Sequence, residues 1–206
     1  SSAASDVYKR QTHLNIKINQ LRIDGFVKNT PLRCYYCKRE LMSRLIKAAQ
    51  QRGFDTVFEG SNADDDNDYR PGMMAVKELG VLSPLKNAEL TKSEIRRLSK
   101  ALGLSTYSKP SLACLATRIK YDEEITAEKL KMTDEAEQVL CDLGLTQVRV
   151  RMNDNSARIE VPFNEMKIVF DNAKYINDAL KKIGYDFVSL DLEGYKTGKM
   201  NININN

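Results

Sequence analysis

The thiol of Cys114 is a side chain that could act as a nucleophile. Lys109 and Arg118 flank it along the chain, and Pro110 stiffens the approach to it. The thiolate is the reactive form of cysteine, and a neighbouring cation favours that form. The alternative is a small buried core residue with no chemistry of its own. These residue types alone leave both interpretations open.

Two further cysteines form a close pair, Cys34 and Cys37, separated by two tyrosines. Such a pair could be a redox couple or half of a four-sulfur metal site, but Cys114 and Cys141 lie too far apart in sequence to complete a zinc ribbon. The spacing also places both thiols on the apolar face of a helix, and we favour packing as their role.

Arginines recur in two alternating segments, 147–151 and 157–161, around a polar turn. The two-residue period of a strand places Arg149 and Arg151 on one face, with Arg158 and Glu160 opposite them in a hairpin. Guanidinium groups offer paired planar donors that suit phosphate and carboxylate. The alternative is a solvated sheet face with cross-strand ion pairs.

An acidic loop follows the predicted strand at 56–58. Gly60, Ser61 and Asn62 stand at a strand end, where a parallel α/β sheet places its ligand crevice. The carboxylates that follow could hold Mg²⁺ through oxygen ligands, or they could form an exposed acidic turn. These carboxylates are Asp64, Asp65 and Asp66.

The hydrophobic periods and capping signals predict the elements that position these residues, and the residues from Thr91 to Glu94 form a capping-box pattern at the start of one helix. Strands are expected at 14–18, 56–58, 147–151, 157–161 and 187–190, with a short one near Ile119, and helices at 33–52, 70–79, 91–102, 126–143 and 163–183. The fold class is therefore α/β: a parallel sheet covered by helices, followed by a small α+β unit in the β-α-β-β-α-β order of ferredoxin-like folds.

Composition limits the classes of protein that the chain can represent. Of 206 residues, 29% are charged and 42% hydrophobic, with four cysteines, one histidine and a net charge of +4. No apolar run approaches the roughly 18 residues of a membrane span, and the cysteines are too few for a disulfide scaffold, so we expect a cytoplasmic protein. The mild charge favours local anion sites over nucleic-acid binding.

Several motifs occur together in a fixed order and extend the argument. They are RCYYCK at 33–38, GSNADD at 60–65, DYRPG at 68–72, SPL at 83–85, KPS at 109–111, ACLATR at 113–118, RVR at 149–151, ARIEV at 157–161 and LDLEGY at 190–195. Together they resemble the LarE family of ATP-dependent sacrificial sulfur transferases, in the PP-loop pyrophosphatase superfamily. The resemblance runs from about residue 13 to residue 201.

The resemblance implies a reaction and a set of site residues. LarE-type enzymes use ATP to adenylylate a carboxylate of a pyridinium biscarboxylate mononucleotide, and a cysteine then donates its own sulfur and becomes dehydroalanine. The product leads to the nickel-pincer nucleotide of lactate racemase. Cys114 matches the sacrificial cysteine, and the implied cofactors are ATP and Mg²⁺. Lys38, Arg118, Glu137, Arg149, Arg151 and Glu160 would contact the substrate, and Gly60, Ser61, Asn62 and Asp64 would border ATP.

One family feature is absent from the sequence. The superfamily's Ser-Gly-Gly-x-Asp-Ser loop binds pyrophosphate through backbone amides, and no stretch of the 206 residues replaces it. We therefore expect a disordered leader or expression remnant at 1–11, a partial PP-loop domain at 12–118 and an α+β domain at 119–206. We also expect weak or absent ATP binding, and hence an inactive N-terminally truncated fragment.

Two alternatives to this function remain at the level of sequence. One is another PP-loop enzyme, such as a tRNA thiolase or an amidotransferase-type synthetase. The other is a non-catalytic binding or oligomerising remnant. For the favoured function we expect a mononucleotide as the small-molecule partner and a homo-oligomer as the assembly, with neither a membrane nor a nucleic acid as partner.

Overall fold

The computed structural model describes residues 13–67, 69–109, 113–196 and 198–199, so the predicted leader at 1–11 lies outside the described residues. The α-helices of the described residues are α1 (Asp24–Val27), α2 (Arg33–Gln50), α3 (Gly72–Glu78), α4 (Pro84–Asn87), α5 (Lys92–Ala101), α6 (Ala127–Asp142), α7 (Met166–Asp171) and α8 (Ala173–Ile183). The strands are β1 (Arg149–Asn153), β2 (Ser156–Glu160) and β3 (Phe187–Leu190). Short 3-10 turns cover Gln20–Arg22, Ala63–Asn67, Ser105–Ser108, Leu115–Arg118 and Phe163–Glu165.

Side-chain caps determine where two of the helices begin. At the start of α5 the Thr91 hydroxyl accepts from the Glu94 amide, and the Glu94 carboxylate accepts from the Thr91 amide at 2.9 Å, which confirms the predicted capping box. At the start of α6 the Thr126 hydroxyl accepts from the Lys129 amide at 3.1 Å. Each cap satisfies amides that have no partner within the helix.

The sequence predicted one continuous helix over 163–183, and this prediction was wrong because the helix is interrupted. A 3-10 turn and α7 precede α8, and Asn172 separates the two helices. The Asn172 side-chain amide donates to the carbonyl of Ile168 at 2.8 Å. An asparagine that bonds to the preceding turn competes with the helical hydrogen bonds, so it favours a break.

The three-stranded sheet has the order β1-β2-β3, with β1 and β2 antiparallel and β2 and β3 parallel. The hairpin register places Arg149 opposite Glu160 and Arg151 opposite Arg158. Ile119 adds a parallel bridge to Met152 of β1. The expected order of elements is therefore present, but the ferredoxin-like prediction was wrong in its sheet order. Here the two strands joined by each helical crossover are neighbours in the sheet. In a ferredoxin-like fold another strand lies between them.

The main core packs α6 and α8 against this sheet. Its fully buried side chains include Ala136 and Leu140 of α6, Leu180 of α8, and Val150 and Ile159 of the hairpin. The apolar side chains of the hairpin thus face the helices. Because side chains alternate along a strand, the arginines of β1 and β2 lie on the opposite face.

The N-terminal part of the chain is mainly helical, and two strand predictions there were wrong. Residues 14–18 form no strand, and the predicted buried strand at 56–58 is reduced to one parallel bridge between Phe58 and Leu82. Phe58 is 64% exposed, so this segment is not a buried core strand either. A strand is stabilised by its ladder of partners, and the alternation at 14–18 has none within the described residues. Met42, Val76 and Val81 instead form a small core between α2 and α3.

Candidate functional site

The segment from Ala113 to Lys120 carries Cys114 and is held mainly through its backbone carbonyls. Arg33 of α2 donates to the carbonyl of Ala116 at 2.9 Å, and Asn29 donates to that of Lys120 at 2.6 Å. Ala116 and Ile119 are fully buried against Phe26 and Ile125. Cys114 itself is exposed. The anchors therefore fix the backbone beside Cys114 and leave its thiol accessible.

Arg118 ties the same segment to α6. Its guanidinium forms a two-pronged ion pair with Glu137, at 2.7 and 2.8 Å, and it also donates to the carbonyl of Cys114 at 3.2 Å. The Arg118 side chain is only 4% exposed. Glu137 further accepts from the amide of Val150 in β1 at 2.9 Å. This buried pair therefore connects the Cys114 segment, α6 and the hairpin.

Glu160 neutralises two arginines of the hairpin. Its side chain is fully buried, and its two oxygens accept from Arg151 at 3.0 Å and from Arg158 at 3.3 Å. Arg151 also donates to the carbonyl of Thr117 at 2.8 Å. A buried carboxylate requires such partners, because burial of an unpaired charge costs several kcal/mol or more. This face of the hairpin is thus buried at Glu160, whereas the Arg158 side chain is 52% exposed, so the face combines ion pairs with one solvent-accessible arginine.

Arg149 differs from its neighbours, because no carboxylate pairs with it in the part of the chain that the structure describes. It is 9% exposed, it donates to the carbonyl of Val148 at 2.6 Å, and its guanidinium lies 5.3 Å from the ring centroid of Tyr195. Burial, and next the charge of Arg118, lower the pKa of Arg149. A guanidinium has five N–H donors, so most of them remain for another acceptor. The arrangement suits an anion.

The cysteines differ in their surroundings. Cys34 is exposed and Cys37 is half-buried on α2, so the prediction that both pack on an apolar face was wrong for Cys34. Burial, and next the neighbouring Cys114, raise the pKa of Cys37. Cys37 therefore stays a protonated thiol near neutral pH, close to the exposed Cys114. Cys141 on α6 is exposed as well.

Lys38 belongs to a second polar group on α2. Its ammonium donates to Glu59 at 3.1 Å, and Glu59 also accepts from the Ser83 hydroxyl at 2.5 Å and from the Ser61 amide at 3.1 Å. Burial raises the pKa of Glu59, but the hydrogen bonds from Ser61, Ser83 and Lys38 together outweigh burial and lower it to about 2. Glu59 therefore carries a full charge that holds Lys38 in place.

The acidic loop is occupied by its own contacts. Asp64 accepts from the amide of Lys92 at the start of α5, at 2.8 Å, and Asp65 pairs with Arg70 at 2.8 Å. The backbone amide of Asn62 donates to the carboxylate of Asp65 at 3.0 Å. No group of three or more metal-ligating side chains occurs among the described residues, where the side chain of Asp66 is not included. The described side chains Asp64 and Asp65 are thus engaged by protein donors, and Mg²⁺ remains a prediction.

Neither of the two best-defined cavities contains Cys114. The larger, about 650 Å³, lies between Lys17–Asp24 and the side chains of Glu40 and Arg44. It is an open polar groove without Cys114 in its lining. Within the described residues, no helix has the length and apolar character to cross a membrane.

Comparison with known proteins identifies the family. No family model matches the sequence. The pyridinium-3,5-bisthiocarboxylic acid mononucleotide synthase of Lactiplantibacillus plantarum is 35% identical over 186 residues, which cover 89% of this chain and 67% of that enzyme. This chain belongs to the family of that synthase. The resemblance to the LarE family is confirmed at this level.

Two uncharacterised proteins are also similar to this chain over about nine tenths of its length. A protein of Synechocystis sp. is 40% identical over 92% of this chain and 71% of its own length. A protein of Methanocaldococcus jannaschii is 32% identical over 91% of this chain and 73% of its own length. The similarity to the synthase family therefore extends over both the helical part and the hairpin part of the chain.

The structure separates the residues predicted for this synthase-type site into two groups. Arg118, Glu137, Arg149, Arg151 and Glu160 lie together around the Cys114 segment. The others lie beside α2 and α5, where Gly60 is exposed and the buried Ser61 directs its hydroxyl at Met73. That second group is Lys38, Gly60, Ser61, Asn62 and Asp64.

Four residues of this constellation were missed by sequence reasoning: Asn29, Arg33, Glu59 and Tyr195. Arg33 and Tyr195 stand inside motifs of the resemblance, RCYYCK and LDLEGY, so the sequence contained a signal for both. Asn29 and Glu59 act through contacts with residues distant in sequence, which periodicity does not predict.

Proposed function

We propose that this chain is a sulfur transferase in which Cys114 gives its own sulfur to an activated carboxylate of a pyridinium biscarboxylate mononucleotide. The observation that carries the proposal is the buried Arg149, which has no carboxylate partner within the described residues. It lies near Arg118, which itself donates to the carbonyl of the exposed Cys114. Membership in the family of a pyridinium-3,5-bisthiocarboxylic acid mononucleotide synthase supports the substrate class.

The proposed reaction begins with activation by ATP. A substrate carboxylate attacks the α-phosphorus, pyrophosphate leaves, and an acyl adenylate forms. The Cys114 thiolate then attacks the acyl carbon, the bond to AMP breaks, and a thioester links substrate and protein. Removal of the Cys114 α-proton breaks the Cβ–Sγ bond, so the sulfur leaves as a thiocarboxylate and residue 114 becomes dehydroalanine.

The described residues support distinct parts of this sequence. Arg149 binds an anionic group of the mononucleotide, because its guanidinium is buried and free of a carboxylate partner in the described chain. The carbonyl anchors hold the backbone of the Cys114 segment in place, which limits where the thiol can lie and favours attack on a bound acyl carbon. Lys38 adds a second cation beside Gly60–Asn62, where we place the nucleotide. No step is assigned to a metal ion.

The test presents the protein with a chemically prepared acyl adenylate of the pyridinium substrate, so that the result does not depend on ATP binding. Peptide mass spectrometry should show Cys114 lighter by about 34 Da, the mass of H2S, together with a thiocarboxylate product. The exposed Cys34 is the matched control and should keep its mass. Product formed with an unchanged Cys114, or equal loss at Cys34, would contradict the proposal.

A further inference from the structure

We propose that Tyr195 is a positioning residue, which holds Arg149 in the orientation that binds the anionic group of the mononucleotide. The proposal rests on the proposed function and adds a residue to its site. Tyr195 is half-buried, and its ring is the group that lies against the Arg149 guanidinium, at 5.3 Å between the guanidinium carbon and the ring centroid.

Arg149 needs such a partner because its other contacts do not orient it. Arg118, Arg151 and Arg158 are each held by a carboxylate, but Arg149 has only the carbonyl of Val148 as a hydrogen-bond acceptor within the described residues. A long side chain with one hydrogen bond retains rotamer freedom, and ordering it on binding reduces affinity. An aromatic face restricts the guanidinium and leaves its edge for a planar, two-pronged contact with an anion.

The backbone turn before Tyr195 is built to bring its ring to Arg149. The Asp191 amide donates to the carbonyl of Ile159 at 2.9 Å, the Gly194 amide donates to that of Asp191 at 3.0 Å, and the Tyr195 amide donates to that of Val161 at 2.9 Å. These bonds attach the turn to the end of β2, directly across the hairpin from Arg149.

Gly194 permits this close approach for two reasons. Its φ is +68°, a left-handed conformation that costs residues with a Cβ, and an added Cβ would lie 2.8 Å from the carbonyl oxygen of Val161. The turn is further stabilised by Asp191, which pairs with Lys199 at 2.7 Å. A side chain at position 194 would therefore displace the tyrosine that follows.

The experiment measures binding of nicotinic acid mononucleotide, a pyridinium carboxylate with one phosphate, by isothermal titration calorimetry. Tyr195→Leu should weaken binding about fivefold, the usual range for loss of a partly buried cation–π contact, whereas Tyr195→Phe keeps the ring and should bind like the wild type. Gly194→Ala should displace the Tyr195 ring without removing it, so it should weaken binding about as much as Tyr195→Leu does. Tyr175→Leu, an exposed tyrosine on α8, is the control and should leave the affinity unchanged.

A second measurement separates this proposal from the proposed function. The Arg149 Nε–H signal in ¹⁵N NMR, assigned with Arg149→Lys, should be shifted by the ring current of Tyr195 and should move in Tyr195→Leu. If the wild type does not bind the probe, the proposed function is contradicted, and the NMR shift still decides whether the ring orders Arg149. Wild-type affinity in Tyr195→Leu, a weakened Tyr195→Phe, or an unmoved Arg149 signal would overturn the positioning role.

Discussion

Replacing Glu137 by glutamine tests how the Cys114 segment is held. Glutamine keeps the shape of the side chain, and its oxygen can still accept from the Val150 amide, so the change removes mainly the negative charge. Arg118 would then be a cation with 4% of its side chain exposed and no carboxylate partner among the described residues. The 2.7 Å bond to the remaining oxygen would lose its charge-assisted strength. The 2.8 Å bond would be lost, because the amide nitrogen that replaces the second oxygen cannot accept from Arg118.

The magnitude follows from the burial of the pair. Breaking a buried ion pair by removing one partner costs about 3–5 kcal/mol, because the remaining charge is left desolvated. Glutamine preserves one hydrogen bond, so we expect Glu137→Gln to lower the free energy of unfolding by about 3 kcal/mol. That is a large fraction of the roughly 5–15 kcal/mol that stabilises a domain.

Urea unfolding followed by circular dichroism measures this change, and the chain provides a matched control. Glu135 lies on the same helix, pairs with Lys131 at 3.6 Å and is 48% exposed. Glu135→Gln should therefore cost no more than about 0.5 kcal/mol. Equal losses in the two variants would refute the reasoning, because Arg118 would then not depend on Glu137 for its charge balance.

Two further predictions concern the helical part of the chain. Because the folded pKa of Glu59, about 2, is lower than its unfolded value, the stabilisation from Glu59 is present above about pH 4.5 and is lost as the pH falls towards 2. Between about pH 5 and pH 3 the wild type should therefore lose on the order of 1–2 kcal/mol more than Glu59→Gln in urea unfolding. Thr91→Ala removes the capping hydroxyl of α5 and should cost about 1 kcal/mol in the same assay.

Each of these has a control and an outcome that contradicts it. Asp55→Asn, which changes an exposed carboxyl, is the control and should keep the wild-type dependence of unfolding free energy on pH. If Glu59→Gln also kept the wild-type dependence, Glu59 would not be the group responsible for it. Ser43→Ala, at an exposed position on α2, should be near neutral. A Thr91→Ala protein as stable as Ser43→Ala would mean that the cap contributes nothing.

The parts of the fold that local signals determine were predicted correctly. The capping box at Thr91, the hairpin at 149–160 and the strand at 187–190 each depend on spacing within a few residues. The strand at 14–18 and the continuous helix through Asn172 were wrong, because their outcome depends on a partner strand and on one side-chain hydrogen bond. The order of strands in the sheet likewise depends on pairing between residues that are distant in sequence.

The sequence predicted which residues lie at the candidate site better than it predicted which of them contact each other. Strand alternation predicted that Arg149, Arg151 and Glu160 share a face, and the register of the hairpin agrees with it. Which arginine is paired could not be read from the sequence, since Glu160 contacts Arg151 and Arg158 and leaves Arg149 to Tyr195. That choice depends on a turn more than 30 residues beyond the hairpin's first strand, which no local pattern encodes.

Under the proposed function, the anchors of the Cys114 segment have a consequence for the protein after its reaction. Arg33, Arg118 and Arg151 donate to the carbonyl oxygens of Ala116, Cys114 and Thr117, and these three hydrogen bonds involve neither the β-carbon nor the sulfur of residue 114. A chain that has given up its sulfur therefore retains the contacts that fold it. If Cys114 is consumed as proposed, the spent protein should keep the fold of the fresh one and still compete for substrate, so a cell that relies on it would have to replace molecules that are still folded.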